Sequence, residues 1–196
     1  IDANKSANIK KCVVVIPENC EAFEGICHGF ETVVQKVPKG TGDAVKKASN
    51  LLKEFTGIIL VCFGDTPFLT SDTFKRVIKA FDNKTKLVIT GFKKFEKNNY
   101  GKIIFSNKNE PIDIIEQKDA EVRNIYSEFC NGGVMAIHSS IMNLLNKIQE
   151  NLISNEYYLT DLVNILNKEN KKISFIEIKE EEIIGINNQV DLSVAE

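Results

Sequence analysis

The apolar run from Gly57 to Phe63 stops abruptly at Gly64-Asp65-Thr66-Pro67-Phe68-Leu69. A carboxylate placed where a buried strand ends faces whatever lies beyond it, and the preceding glycine lets backbone or ligand come close. Asp65 is therefore a candidate hard-oxygen ligand for a Mg²⁺ ion bridging phosphates, although Gly-Asp is also an ordinary turn former. Gln35 follows the short run Thr32-Val33-Val34 and leads into Gly40-Thr41-Gly42-Asp43-Ala44, which opens a helix. Its amide can read both a donor and an acceptor on a base edge, and the Gly-rich turn offers backbone N–H groups without side-chain obstruction. The same turn reads equally as a loop and helix cap. It is not a Walker loop, since no Gly-Lys-Ser/Thr follows, nor a Rossmann dinucleotide fingerprint.

Three further segments offer groups suited to a sugar. Asn131-Gly132-Gly133 precedes a strand, and Glu116-Gln117-Lys118-Asp119-Ala120 follows a ribbon. Each reads equally as a turn or a solvated charge run. Glu156-Tyr157-Tyr158-Leu159-Thr160-Asp161 brings two aromatics to a helix start. There the alternative is Tyr rings packed under the loop, with Thr160 or Asp161 in the first helical turn.

These residues need elements to hold them. Cys12 to Pro17 is apolar on consecutive positions, as in a strand buried on both faces of a parallel sheet. Thr32 to Gln35 and Gly57 to Phe63 are further strands. Asp43 to Phe55 has helical spacing, and a helix follows from about Ser71, with Ser71 or Asp72 able to cap it. Lys86 to Phe92 continues the sheet. Lys102 to Phe105 and Pro111 to Glu116 form an antiparallel ribbon around Ser106 to Glu110, within a substrate-side lobe of about residues 93–130. Gly132 to Ile137 is a strand, Ser139 to Glu150 and Tyr158 to Lys168 are helices, and Lys172 to Ile178 closes the sheet. The alternation predicts an α/β fold with a doubly wound, Rossmann-like, mostly parallel sheet and a small antiparallel lobe, binding ligands at the carboxyl ends of its strands.

The 196 residues are 43% hydrophobic and 27% charged, enough for one substantial core and a single domain over 1–196. A formal net charge of -2 gives no basic face for nucleic acid or an acidic membrane, so small molecules are the expected partners. The five cysteines are odd in number and lack C-x-x-C spacing, which argues for reduced thiols in a cytoplasmic protein. His28 and His138 are too isolated for a catalytic dyad or metal cluster. The sequence opens Ile1-Asp2-Ala3 rather than with Met, so a preceding segment is expected.

Taken in order, Gln35 with Gly40-Thr41-Gly42, Gly64-Asp65-Thr66-Pro67, Tyr100-Gly101-Lys102, Glu116 to Ala120, Asn131-Gly132-Gly133, Glu156 to Asp161 and Gly185-Ile186-Asn187-Asn188 form a specific series. It resembles the uridylyltransferase domain of the bacterial bifunctional N-acetylglucosamine-1-phosphate uridyltransferase / glucosamine-1-phosphate acetyltransferase family, over essentially the whole chain. The resemblance implies transfer of UMP from UTP to N-acetylglucosamine 1-phosphate, giving UDP-N-acetylglucosamine and pyrophosphate for peptidoglycan and lipopolysaccharide precursors. It implies Mg²⁺ held by Asp65 and Asn187. It implies nucleotide contacts from Gln35, Gly40, Thr41, Gly64 and Asp65, and sugar contacts from Gly101, Glu116, Asn131, Tyr158 and Thr160.

The family pattern has His where this chain has Asp43, Arg where it has Lys102, and Thr where it has Gly132. Its members begin with a Leu-Ala-Ala-Gly-x-Gly-Thr-Arg-Met type loop that wraps the triphosphate, followed by a Lys. Neither occurs in these 196 residues, so the domain is expected to be N-terminally incomplete and to transfer little nucleotide by itself. Members also continue into a hexapeptide-repeat β-helix, which implies a homotrimer if the full protein has one. Two alternatives stay open: another sugar-phosphate nucleotidyltransferase of the same fold, or a sugar-nucleotide binder without catalysis.

Overall fold

The computed structural model describes residues 9–18, 27–186, 189 and 192–193. Its centre is two strands, β4 (Thr85–Lys93) and β7 (Phe129–His138), whose side chains alternate between faces. Leu87, Ile89, Met135 and Ile137 enter one core cluster, whereas Val88, Val134 and Ala136 enter the clusters on the other side. None of the seven is more than 3% exposed, so this sheet is covered on both faces.

The strand order is β6 (Pro111–Ile115), β5 (Lys102–Phe105), β7, β4 and β8 (Lys172–Glu177), with β3 (Ile58–Val61) pairing with the second half of β7. β3, β4, β5 and β8 run in one direction; β6 and β7 run against them. The α/β class with a mostly parallel sheet and a small additional ribbon is thus as the sequence predicts. The direction of β7 was not readable. The β5–β6 hairpin reverses the chain once and the following helix preserves that direction, so β7 arrives antiparallel to β3 and β4. The β3–β7 ladder begins at Ile58↔His138 and ends at Val61↔Met135. Where the β4 register shifts between Ile89 and Gly91, the buried Thr90 bridges the irregularity: its hydroxyl donates to Val134 O at 2.9 Å and accepts from Val134 N–H at 3.2 Å.

A separate parallel pair, β1 (Val13–Pro17) and β2 (Glu31–Gln35), aligns Pro17 with Gln35 at its carboxyl end. Helix α1 (Thr41–Ala48) follows it. One sheet face is covered by α2 (Ser71–Lys79) through Phe74 and Val77. The other is covered by α4 (Asp161–Lys168) and a 3₁₀ helix, Ser139–Lys147, through Leu144, Leu145, Leu162, Val163 and Leu166. Helices as short as α1 and α4 are marginal in isolation. Burying one such Leu or Val contributes about 1.5–3 kcal/mol, so packing on the sheet, not propensity, keeps them helical.

Some boundaries differ from expectation for local reasons. The helix predicted from Asp43 to Phe55 is α1 followed by a 3₁₀ turn, Ser49–Leu52. Its break falls where Ser49 Oγ donates back to Lys46 O at 2.7 Å. The cap of α2 is neither Ser71 nor Asp72: Thr70 is extended, and its Oγ1 accepts from Thr73 N–H at 3.2 Å. His138 serves as a structural cap, with Nδ1 accepting from Ser140 N–H at 3.2 Å. Cys12, Cys27, Cys62 and Cys130 are free thiols. No helix among the described residues is long and apolar enough to cross a membrane.

Candidate functional site

Gln35 ends β2 half-buried, and its Nε2 donates to Asp43 Oδ2 at 2.7 Å and to Gly40 O at 3.3 Å. Gly40 has φ +90°, and a Cβ there would lie 2.7 Å from the Tyr157 carbonyl oxygen, so this turn accepts only glycine. Close approach is what the next contacts require. Tyr157 N–H donates to Lys39 O at 2.8 Å, Gly42 N–H to Tyr157 O at 2.8 Å, and Leu159 N–H to Thr41 Oγ1 at 3.0 Å. The turn after β2 is therefore laced to residues 157–159. That is also why α4 starts at Asp161 rather than at Tyr158: the preceding backbone is already bonded elsewhere.

The next residue carries the connection onward. Thr160, 5% exposed, donates through Oγ1 to Glu116 Oε1 at 2.7 Å. The other Glu116 oxygen stands over Gly101, where a Cβ would lie 3.4 Å from it. Gly101 O in turn accepts from Asn131 N–H at 2.8 Å. Gly101, Glu116, Asn131 and Thr160 are thus brought into one group. Tyr158 adjoins it in sequence, and burial, with the Glu116 charge among lesser causes, raises its phenol. Burial also pushes Glu116 above the usual carboxylate range, partly opposed by the Thr160 hydrogen bond.

Sequence reasoning missed the electrostatics around this group. Glu116 to Ala120 is not a solvated charge run: Gln117–Arg123 is helix α3, and Asp119 is only 7% exposed. Asp119 Oδ2 accepts from Asn151 Nδ2 at 2.7 Å, while its buried Oδ1 has no partner among the described residues. Desolvation, followed by the charges of Asp113, Glu116 and Asp119, raises Asp161 to about 6. Neither Asn151 nor Asp113 stands in a pattern that could have announced these contacts. Lys102 is also turned inward, at 7% exposure, with Nζ donating to Asn98 Oδ1 at 2.6 Å and to Cys130 Sγ at 3.5 Å. It does not stand free to grip a substrate phosphate.

Asp65 lies exposed in the turn after β3, and its side chain makes no bond to any described residue. Its carbonyl accepts from Ile186 N–H at 2.9 Å, so the chain just before Asn187 is tied to the turn that carries Asp65. Asn187 lies outside the described residues. A Cβ on Gly64 would meet nothing within 4 Å, so the approach to Asp65 is open. Among the described residues no group of three or more His, Cys, Asp or Glu could hold a metal ion. A free carboxylate oxygen joined by an amide oxygen is nonetheless an all-oxygen donor set. Mg²⁺ accepts such a set when water and phosphate fill its other positions, so the residues fit that ion.

Comparison with known proteins bears on the family and the fold. Residues 4–183 match the family model described as nucleotidyl transferase. The chain is 38% identical over 165 residues to the bifunctional protein GlmU of Ruegeria sp. (strain TM1040), covering 84% of this chain and 36% of that one. It is 35% identical over 190 residues to the bifunctional protein GlmU of Bartonella bacilliformis, covering 96% and 40%. The Wolbachia sp. (subsp. Brugia malayi) protein of the same name is 38% identical over 171 residues, covering 85% and 41%. The chain therefore spans well under half the length of these relatives. Among solved structures, HddC from Yersinia pseudotuberculosis superposes with a TM-score of 0.67 at 15% identity, covering 99% of this chain and 80% of that one, which is a likeness of fold.

The fold is that of an α/β nucleotidyltransferase. By its match over most of its length, the chain belongs to the nucleotidyl transferase family.

Proposed function

We propose that this chain carries the uridylyl-transferring part of an enzyme that joins UTP and N-acetylglucosamine 1-phosphate into UDP-N-acetylglucosamine and pyrophosphate, in the bacterial cytoplasm, for cell-envelope precursors. The observation that carries it is the continuous connection from Gln35, Gly40 and Thr41, through residues 157–160, to Glu116, Gly101 and Asn131. Such a frame fixes a base-reading turn and a sugar-reading pocket relative to one another. Similarity to relatives named as bifunctional GlmU supports the choice of substrates.

The reaction is an in-line attack of a sugar-phosphate oxygen on the α-phosphorus of UTP, with pyrophosphate leaving. The attacking phosphate is already an anion, so no general base and no covalent protein intermediate are needed. Catalysis rests on alignment and on neutralising charge. In this reading Gln35, Gly40, Thr41 and Gly64 hold the nucleotide, and Gly101, Glu116, Asn131, Tyr158 and Thr160 hold the sugar. Thr160 spends its hydrogen on Glu116 Oε1, which leaves Oε2, above Gly101, to accept from a sugar hydroxyl or amide. Asp65 and Asn187 would hold Mg²⁺, which when bound neutralises phosphate charge. A trimer belongs to this reading only if the protein continues into a hexapeptide-repeat domain.

Pyrophosphate release by the full-length protein, with N-acetylglucosamine 1-phosphate and UTP, CTP or dTTP in turn, tests the reading. Turnover with UTP well above the other two is expected. Equal turnover with all three, or none with UTP, overturns it.

A further inference from the structure

We infer that Asp43 fixes the orientation of the Gln35 amide, so that Gln35 meets a nucleotide base as a hydrogen-bond acceptor only. The inference rests on the proposed assignment of Gln35 to the base and concerns how that contact selects its base. The partners of Gln35 Nε2 are the Gly40 carbonyl at 3.3 Å and Asp43 Oδ2 at 2.7 Å. Neither a carbonyl nor a carboxylate can donate, so the nitrogen, not the oxygen, of the amide must face them. Both amide N–H bonds are then directed into the turn, and Oε1 is the atom left to meet a ligand.

Asp43 is itself held in place for this task. It occupies the first turn of α1, where the helix N-terminus favours a carboxylate. Its Oδ1 lies 3.7 Å from Lys47 Nζ, one helical turn on, which leaves Oδ2 to Gln35. It also lines a cavity of about 390 Å³ whose rim includes Lys36, Lys39, Lys46 and Lys47. Positive charge on that side and the amide on the other keep the carboxylate between them.

The consequence follows from the base edges. Uracil offers a donor, N3–H, between two carbonyl oxygens, and an acceptor-only Gln35 matches that donor. Cytosine has a bare, accepting N3, which would face the Gln35 oxygen and be repelled. A glutamine free to turn over could meet either edge; one held by Asp43 cannot. Asp43 is thus a positioning residue that acts through Gln35, and its effect is on base choice rather than on chemistry.

Calorimetric titration of the full-length protein in Mg²⁺ with UTP, N3-methyl-UTP and CTP, for wild type, Asp43→Ala and Asp43→Asn, tests this. Wild type is expected to bind UTP about ten-fold or more tighter than the other two, the effect of one hydrogen bond lost at a shielded site. Asp43→Ala should bring the three affinities to within about three-fold of each other. Asp43→Asn, whose Oδ1 can still accept from the Gln35 amide, should keep the wild-type ratio. Because the readout is a ratio, partial misfolding of a variant, which scales all three ligands alike, does not imitate the effect. Wild type that binds UTP and N3-methyl-UTP equally, or Asp43→Ala that keeps the wild-type ratio, overturns the role of Asp43 while the assignment of substrates stands. Wild type that binds no UTP overturns both.

Discussion

Thr41, in the turn after β2, accepts through Oγ1 a hydrogen bond from the backbone N–H of Leu159, 3.0 Å away and on the far side of the sequence. Leu159 is 3% exposed, so its N–H has no recourse to water if that oxygen is removed. Thr41→Val is nearly isosteric and deletes only the acceptor. It should lower stability by about 1–3 kcal/mol, the cost of a buried donor left unmade, whereas Thr41→Ser should stay near wild type. Urea unfolding of the three proteins decides it; indistinguishable midpoints would mean that the turn is not held by this bond.

Thr160 predicts a more selective effect. Its hydroxyl satisfies one oxygen of the buried Glu116 carboxylate, and Thr160→Val leaves that oxygen bare while preserving side-chain volume. In the full-length enzyme the KM for the sugar phosphate should rise about ten-fold or more and that for UTP by much less, with Thr160→Ser restoring both. A rise confined to UTP would contradict the assignment of this residue to the sugar.

The carboxylates behind Glu116 give a dependence on pH. Burial, and then Asp113, Glu116 and Asp119, raise Asp161 to about 6 in the folded chain, against about 3.9 for an unfolded aspartate. Between these values the folded state binds the extra proton, so the wild type loses stability as pH rises from about 4 to about 6. Asp161→Asn should be more stable than wild type at pH 7.5 by about 1 kcal/mol, allowing for partial solvent screening, and should show no such gain at pH 4. Thermal unfolding at the two pH values checks this. The same difference at both would show that the gain has another origin.

The Asp65 side chain has no partner among the described residues, so its effect should appear through the proposed ion. Asp65→Asn keeps the shape of the side chain and removes its charge. Turnover in Mg²⁺ should fall about 10²-fold or more in the full-length enzyme, with thermal stability unchanged. Asn187→Ala should act in the same direction. Unchanged Mg²⁺-dependent turnover in either variant would remove that residue from the metal site.

The extent to which all this was legible in the sequence varied with the range of the interactions. Local patterns were: the hairpin from Lys102 to Ile115 and its turn fall where alternation and polar residues place them, and the strand ending before Gly64-Asp65 does also. What single segments could not disclose was their partners. Gln35 reads as a free amide until Asp43 is seen to take its nitrogen, eight residues on and across a turn. Lys102 stands where the family pattern has Arg, yet it is enclosed between Asn98, on the same stretch of chain, and Cys130 on the distant β7. Asp119 looks solvated because burial depends on α3 packing near Asn151, a contact that no periodicity encodes. Helix starts erred for a related reason. Backbone around Tyr157 had a long-range partner that competed with the helix.

The antiparallel ladder between β3 and β7 stops at Val61↔Met135. Asp65 and Asn131 lie an equal number of residues beyond that last pair, off the same end of the ladder. Pairing register therefore acts as a ruler between the carboxylate proposed for the metal and the asparagine proposed for the sugar, two residues that need share no bond. A deletion in the stretch 62–64 would shorten one arm of that ruler and leave the other intact. Every side chain proposed for the metal and the sugar would survive such a change, and only the span between those two proposed sites would be altered.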